Sequence, residues 1–178
     1  MKLTLEQLMR IMPGAGRERA AAFLVPLNRW MPEYGITTSA RAASFLSQVA
    51  HETAQLRFLR ELWGPTAQQT RYEGRKDLGN TQPGDGRRFL GRGLIQTTGR
   101  ANYAECGKAL GVDLLAHPEL LETPEYAVRS ACMFWLSRGL NALADAGDQV
   151  AVTRRVNGGT NGLEERLAFF KTASKVLT

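Results

Sequence analysis

The chain has 178 residues, enough for one domain with a substantial hydrophobic core. Its hydrophobic content is 43%, its charged content is 22%, and it contains no run of about 18 apolar residues that could span a membrane. The net charge of +6 indicates an anionic partner or surface. Nucleic acid is the weaker candidate, because aromatic residues are not interleaved with the basic ones. We therefore expect a single domain over residues 1–178 that neither binds nucleic acid nor inserts stably into a membrane.

The two cysteines, Cys106 and Cys132, lack the spacing of a zinc site and have no evident histidine partner. We expect each to be a small apolar side chain on a helix, not half of a disulfide. We expect no metal or cofactor. Glu6, Gln7 and Arg10 interrupt the amino-terminal segment, which therefore lacks the apolar core of a signal peptide. This pattern predicts synthesis and folding in the cytoplasm.

The first third of the chain is predicted to be helical. Thr4-Leu-Glu-Gln7 is typical of a capping box, and Pro13-Gly14 ends the helix that it opens. A second helix is predicted over about 17–30. Thr38-Ser39 then caps a long third helix, which we expect to run to about Glu61.

The segment from Gly64 to Gly93 is rich in glycine and proline and has little helical periodicity. Residues 80–86 are typical of consecutive turns. A loop of this length in a compact domain is usually functional or disordered. Because it carries Tyr72, Phe89 and several charges, we predict a loop or short-strand segment that forms a binding wall.

Helical patterns return after Thr98. We predict helices over about 101–110, over about 124–138, from 148 or 151 to 157, and over 163–176.

Glu52 interrupts the apolar stripe of the third predicted helix. Phe45, Val49 and Leu56 recur at helical spacing, and Glu52 takes a position where the pattern requires an apolar residue. A carboxyl group there loses hydration, which favours its protonated form, and a general acid must hold a proton near neutral pH. The alternative is a structural glutamate paired with an arginine.

Three separated sequence blocks favour a catalytic over a structural role for Glu52. They are Gln48-Val-Ala-His-Glu-Thr53, the block 88–103, which contains Gly91-Arg-Gly-Leu-Ile-Gln-Thr-Thr-Gly99, and Arg155-Val-Asn-Gly-Gly-Thr160. Their order and spacing resemble the family-19 glycoside hydrolases, which include plant chitinases and phage endolysins. The segment 72–86 is similar to the phage and prophage endolysin branch.

The resemblance implies a mainly α, lysozyme-like fold of the α+β type, with two helical lobes around a substrate cleft. It also implies hydrolysis of a β-1,4-linked amino sugar polymer with inversion. We expect a muramidase-type endolysin that is monomeric, degrades bacterial peptidoglycan and lyses the host cell. It would stay in the host cytoplasm until a holin-type pore gives it access to the periplasm and wall. A chitinase acting on N-acetylglucosamine polymers and a non-catalytic wall-binding module are the alternatives.

The resemblance also assigns roles to individual residues. Glu52 matches the general acid, and Thr98 stands where the family has a serine or threonine that helps to hold the attacking water. Arg166 matches a family arginine that orients the acid. The remaining candidates are substrate contacts, of which His51 has a structural role as its commoner alternative: His51, Tyr72, Gln96, Asn102, Tyr103 and Asn157.

The second carboxylate is open between Glu61 and Glu73. An inverting hydrolase needs a base about 6.5–9.5 Å from the acid, with room for one water. The phage members favour Glu61, and the chitinases, with the base about twenty residues after the acid, favour Glu73. Nine residues of unbroken helix would carry Glu61 about 13.5 Å along the axis, so it reaches the cleft only if the helix ends or bends before Leu62. Gly64-Pro65 makes an early end plausible, and we rank Glu61 first.

Overall fold

The computed structural model describes residues 2–178, and its regular structure is almost entirely helical. Ten α-helices occur in this part of the chain: α1 (Leu5–Ile11), α2 (Arg17–Glu33), α3 (Ser39–Glu52), α4 (Ala67–Thr70), α5 (Asp85–Arg88), α6 (Arg100–Leu110), α7 (Pro124–Ser137), α8 (Leu140–Asp145), α9 (Gln149–Asn157) and α10 (Leu163–Val176). Short 3-10 helices cover Pro13–Ala15, Lys76–Leu78 and Pro118–Glu122. Within residues 2–178, β-structure is limited to two isolated bridges, Arg60 with Arg92 and Arg92 with Thr97.

Side-chain caps fix where several helices begin. The predicted capping box of α1 is confirmed: Thr4 Oγ1 accepts from the Gln7 backbone N–H at 3.1 Å, and Gln7 Oε1 accepts from the Thr4 N–H at 2.9 Å. The Thr38 hydroxyl accepts from the Arg41 N–H at 3.2 Å and starts α3 as predicted. α10 has the predicted bounds, whereas α8 was not anticipated.

The predicted length of α3 was wrong, because the helix ends at Glu52 and not near Glu61. The Thr53 hydroxyl donates to the Val49 carbonyl at 2.6 Å and accepts from the Leu56 N–H at 2.7 Å, in addition to the backbone bond from the Thr53 N–H to Val49 at 3.1 Å. Ala54, Gln55 and Leu56 then adopt positive φ values of 46°, 63° and 65°. This left-handed turn folds Leu56 back into the core.

The helices enclose two hydrophobic cores. The larger one gathers α1, α2, α3, α7, α8, α9 and α10, with Phe45 edge-on to Trp135 at 5.3 Å between ring centroids. The smaller one lies around α6 and comprises Phe89, Tyr103, Cys106, Leu110, Leu114 and Leu121. Two cores give the two lobes that the resemblance implies.

Both cysteines are free and buried, as predicted, and they belong to different cores. Burial raises the pKa of the Cys106 thiol to about 11 and raises that of Cys132 as well. No helix within residues 2–178 combines the length and the apolarity that crossing a membrane requires.

The glycine-rich segment 64–93 folds into α4, α5, one 3-10 helix and turns, and the short strands allowed for it do not form. None of its residues lines the two hollows of the groove described below, so the predicted binding wall is not seen there. Arg100, at the start of α6, donates to the buried Asp85 carboxylate at 2.7 and 2.6 Å. Its backbone N–H donates to Asn80 Oδ1 at 2.8 Å, and Asn80 Nδ2 donates to the Tyr72 carbonyl at 2.8 Å. These bonds fasten the segment to α6. We name residues 72–88 the latched loop.

Candidate active site

Glu52 lies at the last residue of α3, where the helix stops and its side chain faces a groove between the lobes. Glu52 Oε1 accepts from Arg166 Nη2 at 2.6 Å, whereas Oε2 has no hydrogen-bond partner within residues 2–178. Its side chain is 25% exposed and that of Arg166 is 2% exposed. Glu52 is therefore a partly exposed, arginine-paired carboxylate and not the apolar-surrounded group that the stripe predicted. One of its oxygens remains available to a ligand.

A buried polar network fixes the orientation of the Arg166 side chain. Its Nη1 donates to Gln48 Oε1 at 2.6 Å, and its Nε donates to the Asn161 carbonyl at 3.2 Å. Gln48 in turn donates to the Thr153 hydroxyl at 3.4 Å. All three guanidinium nitrogens are thus occupied by protein acceptors. The structure places Arg166 as the residue that orients Glu52, and this arrangement leaves it little capacity to bind substrate directly.

His51 forms the rim of the groove beside Glu52. Its Nδ1 lies 2.5 Å from Glu165 Oε2 on α10, and its ring packs on Gly162 so closely that a Cβ there would lie 2.1 Å from Cε1. Gly162 has a φ of +70°, which suits glycine. These contacts give His51 a structural role in addition to its place on the groove wall.

The facing wall of the groove comes from the segment between the two cores. Leu94 and Ile95 are buried in the larger core, and the chain then turns to present Gln96 and Thr98 to the groove. The Thr98 carbonyl accepts from Asn102 Nδ2 at 2.7 Å, which ties the wall to the first turn of α6.

The groove consists of two adjacent hollows of about 430 and 180 Å³ that share four lining residues. It brings together most of the predicted site residues: His51, Glu52, Gln96, Thr98, Asn157 and Arg166 in the first hollow, and Asn102 in the second. Asn157 stands at the end of α9, where its Nδ2 donates to the Asn161 carbonyl at 3.0 Å. Residues that the sequence did not mark as site residues also line it: Ile95, Phe134, Val156, Asn161, Glu105, Ser137 and Arg138.

Glu61 lies next to the groove wall that carries Gln96, because α3 ends early. Its backbone N–H donates to the Gly91 carbonyl at 2.8 Å, and its Oε2 accepts from the Gly91 N–H at 3.2 Å. The Gln96 side chain packs on Gly91, where a Cβ would lie 2.4 Å from Gln96 Oε1. One glycine thus contacts both the Glu61 carboxylate and a groove-lining side chain. The condition set for Glu61, an end of the helix before Leu62, is met.

Glu73 has a different environment. Its two oxygens accept from the backbone N–H groups of Gly84 and Gly86 at 2.7 and 2.9 Å, within the latched loop. Neither Glu73 nor Glu61 is among the residues that line the two hollows, but Glu61 contacts Gly91, on which the groove residue Gln96 packs. This geometry explains Glu73 as a structural residue that closes a turn, and it favours Glu61 as the second carboxylate.

Two predicted sugar contacts need correction. Tyr103 is 0% exposed in the smaller core, where its hydroxyl donates to the Leu90 carbonyl at 2.6 Å, and burial raises its pKa to about 12. Tyr72 is also buried, with its hydroxyl on Glu61 Oε1 at 3.3 Å and its ring near Trp63. An aromatic residue in a motif fits a core position as well as a sugar platform, so the sequence did not separate the two.

The groove lacks the donor set of a metal site. Within residues 2–178 no group of three or more His, Cys, Asp or Glu side chains is arranged to hold a metal ion. What the groove offers instead is one arginine-oriented carboxyl group, hydroxyl and amide side chains, and a second carboxylate beside its wall. These groups can transfer protons and hydrogen-bond a polyhydroxylated chain.

Comparison with known proteins identifies the family of the chain. The family model for class I chitinases, glycoside hydrolase family 19, matches residues 31–156. The chain therefore belongs to glycoside hydrolase family 19.

Individual relatives extend the comparison. A "glycosyl hydrolase family 19 domain-containing protein" of Haemophilus influenzae is 39% identical over 101 residues, which are 56% of this chain and 48% of the relative. An endochitinase of Arabidopsis thaliana is 30% identical over 148 residues, 83% of this chain and 50% of the relative. The chain thus spans about half the length of these curated relatives.

Solved structures share the fold over nearly the whole chain. A bacterial family 19 chitinase matches with a TM-score of 0.79 and 21% identity, covering 99% of this chain and 95% of its own. Chitinase C from Streptomyces griseus HUT6037 matches with a TM-score of 0.76 and 24% identity, covering 98% and 76%. The mainly helical, lysozyme-like fold predicted from the sequence is confirmed.

Proposed function

We propose that the protein hydrolyses β-1,4 glycosidic bonds of bacterial peptidoglycan by an inverting, general acid/base mechanism. The observation that carries this proposal is the Glu52 carboxyl group, held by the buried Arg166 and left with one unpartnered oxygen in a groove between two lobes. Glu52 protonates the glycosidic oxygen of a chain bound along the groove. Gln96, Asn102 and Asn157 supply hydrogen bonds to the sugars.

Glu61 is the base in this mechanism. It removes a proton from a water held by Thr98, and the water oxygen attacks the anomeric carbon from the face opposite the leaving group. The support is that Glu61 contacts Gly91, on which the groove residue Gln96 packs. Glu73 is not assigned a chemical role, because both of its oxygens bind backbone N–H groups of the latched loop.

The choice of polymer rests on charge and on the middle segment. The net charge of +6 favours an anionic wall over neutral chitin, and residues 72–86 resemble those of phage and prophage endolysins. We infer a muramidase-type endolysin that acts as a monomeric catalytic domain. It reaches the wall after a holin-type pore opens the host membrane, and cell lysis follows.

Chitin is the second candidate substrate, because several of the matched relatives are named endochitinases. Purified peptidoglycan and chitin oligosaccharides, digested in parallel and resolved by mass spectrometry, separate the two. The proposal predicts peptidoglycan fragments with a new reducing end at N-acetylmuramic acid and little cleavage of chitin. If chitin is cleaved efficiently and peptidoglycan stays intact, the substrate is chitin and not peptidoglycan. Sedimentation with cell walls without new reducing ends would instead identify a non-catalytic binding module.

A further inference from the structure

The two carboxylate oxygens of Glu61 have different hydrogen-bond partners. Oε1 accepts from Gln69 Nε2 at 3.0 Å and from the Tyr72 hydroxyl at 3.3 Å. Oε2 accepts only the Gly91 N–H, at 3.2 Å, among donors within residues 2–178. An ionised carboxylate oxygen accepts about two hydrogen bonds, so Oε1 is saturated and Oε2 keeps one acceptor position.

Gln69 is a rigid donor. Its side chain is buried, and its Oε1 accepts from the backbone N–H groups of Gly64 and Thr66 at 3.1 and 2.8 Å. The amide orientation is therefore set by the capping box of α4, and its nitrogen points to Glu61 and to the Leu62 carbonyl, at 2.7 Å. A side chain fixed at four contacts cannot turn away without breaking the turn that it caps.

Tyr72 is a donor for a different reason. Burial first, and the neighbouring Glu61 charge second, raise the pKa of its phenol, so the hydroxyl keeps its proton at neutral pH. Its backbone carbonyl is held by Asn80 of the latched loop. The charged groups nearby are engaged elsewhere: Arg75 pairs with Asp77, and Arg92 donates to Glu122 at 2.7 Å.

We propose that Gln69 and Tyr72 are positioning residues that saturate Oε1 of Glu61 and thereby leave Oε2 as the atom that takes the proton of the attacking water. This inference rests on the proposed function. In the step, one O–H bond of the water breaks and its proton passes to Oε2 while its oxygen bonds to the anomeric carbon. The electron pair of the glycosidic bond leaves with the oxygen that Glu52 protonates.

The direct test is Tyr72→Phe, which removes one donor and keeps the ring. A donor to a carboxylate favours its ionised form, so its loss should move the acidic limb of the kcat profile upward by about 0.5–1 pH unit. We expect kcat to fall about 3–10-fold with little change in KM, because proton transfer and not sugar binding is affected. The matched control is Tyr34→Phe, which makes the same change at a residue outside the lining of the groove and should leave the profile unchanged.

Gln69→Glu provides a second test, whose folding does not depend on that of Tyr72→Phe. It keeps an oxygen acceptor for the Gly64 and Thr66 N–H groups but removes the donor to Glu61 and to the Leu62 carbonyl and puts a negative charge in its place. The acidic limb should therefore move upward further than in Tyr72→Phe. An acidic limb that coincides with that of the wild type in both variants would overturn the proposal.

Carbon-13 NMR titration of the Glu61 carboxyl carbon, assigned with Glu61→Gln, reads the same effect without substrate. A higher titration midpoint in Tyr72→Phe supports the positioning role, and an unchanged midpoint contradicts it. A wild-type protein that cuts no polymer would refute the proposed function, whereas the titration would still decide whether Tyr72 and Gln69 act on Glu61.

Discussion

Thr53, directly after Glu52, determines where the proposed acid lies. Its hydroxyl bonds both the Val49 carbonyl and the Leu56 N–H at the end of α3, and three non-glycine residues follow with positive φ. A left-handed conformation costs about 1–2 kcal/mol for such a residue, so neighbouring contacts must offset it. Gln55 Oε1 accepts from the Gly14 N–H at 2.7 Å, and Leu56 is fully buried. The turn ends α3 at Glu52, and the chain then returns so that Glu61 contacts Gly91.

Gly162 is predicted to hold His51 in place. In Gly162→Ala a Cβ would lie 2.1 Å from His51 Cε1, so the ring beside Glu52 must move. The matched control is Gly147→Ala, which has the same φ of +70° but no atom within 4 Å of the new Cβ. We expect the control to lose about 1–2 kcal/mol in the free energy of unfolding, from backbone strain alone. Gly162→Ala should lose more and also show reduced kcat. Equal stability losses and equal activities, by urea titration and turnover assay, would contradict the role.

At the scale of elements, the sequence predicted the helix ends that are set by neighbouring residues in the chain. The capping box of α1, the start of α3 at Thr38 and both ends of α10 follow from short-range signals. The end of α3 could not be predicted in this way. Leu56 continues the helical spacing of apolar residues, but it reaches the core through the turn at Thr53 and not through a longer helix. Short α8 carried too few residues for a periodic signal.

The candidate site was predictable in the same uneven way. The motif residues Glu52, Thr98 and Asn157 do meet in the groove. Gln69 could not be found, because a glutamine at the third position of a capping box is an ordinary structural residue. Its contact with Glu61 depends on a fold of the chain that only the structure shows.

The latched loop should depend on pH through Asp85. Arg100, which donates to Asp85, lowers the pKa of that carboxyl group from its ordinary value of 3.8. The unfolded chain keeps the ordinary value, so the pair stabilises the fold fully above that pH. The stabilisation is lost as the pH falls through the lower pKa of the folded state. Asp85→Asn should therefore lower the free energy of unfolding by about 1.5–3 kcal/mol at pH 7.

Urea titrations of wild type and Asp85→Asn at neutral pH and at successively lower pH check this claim. The stability difference should be constant from pH 7 to about 5 and shrink in more acidic solution. A difference that stays constant into strong acid would show that the Arg100 pair is not its source.

At the scale of the molecule, two cores of unequal size leave a groove where they meet. Residues 89–98 pass from the smaller core at Phe89 to the larger core at Leu94 and Ile95, and they carry Gln96 and Thr98 between the lobes. One wall is thus anchored in both lobes, while Glu52 and Arg166 stand on the large lobe alone. A relative movement of the lobes would change the distance between Glu52 and Thr98.

The measurement that bears most directly on this account is the release of reducing ends from purified peptidoglycan by wild type, Glu52→Gln and Glu73→Gln, under identical conditions. Removing the proton of the general acid should lower the rate by at least about two orders of magnitude. Glu73→Gln should keep near-native kcat, because both Glu73 oxygens accept backbone N–H groups of the latched loop. Near-native hydrolysis by Glu52→Gln would contradict the assignment of Glu52 as the acid.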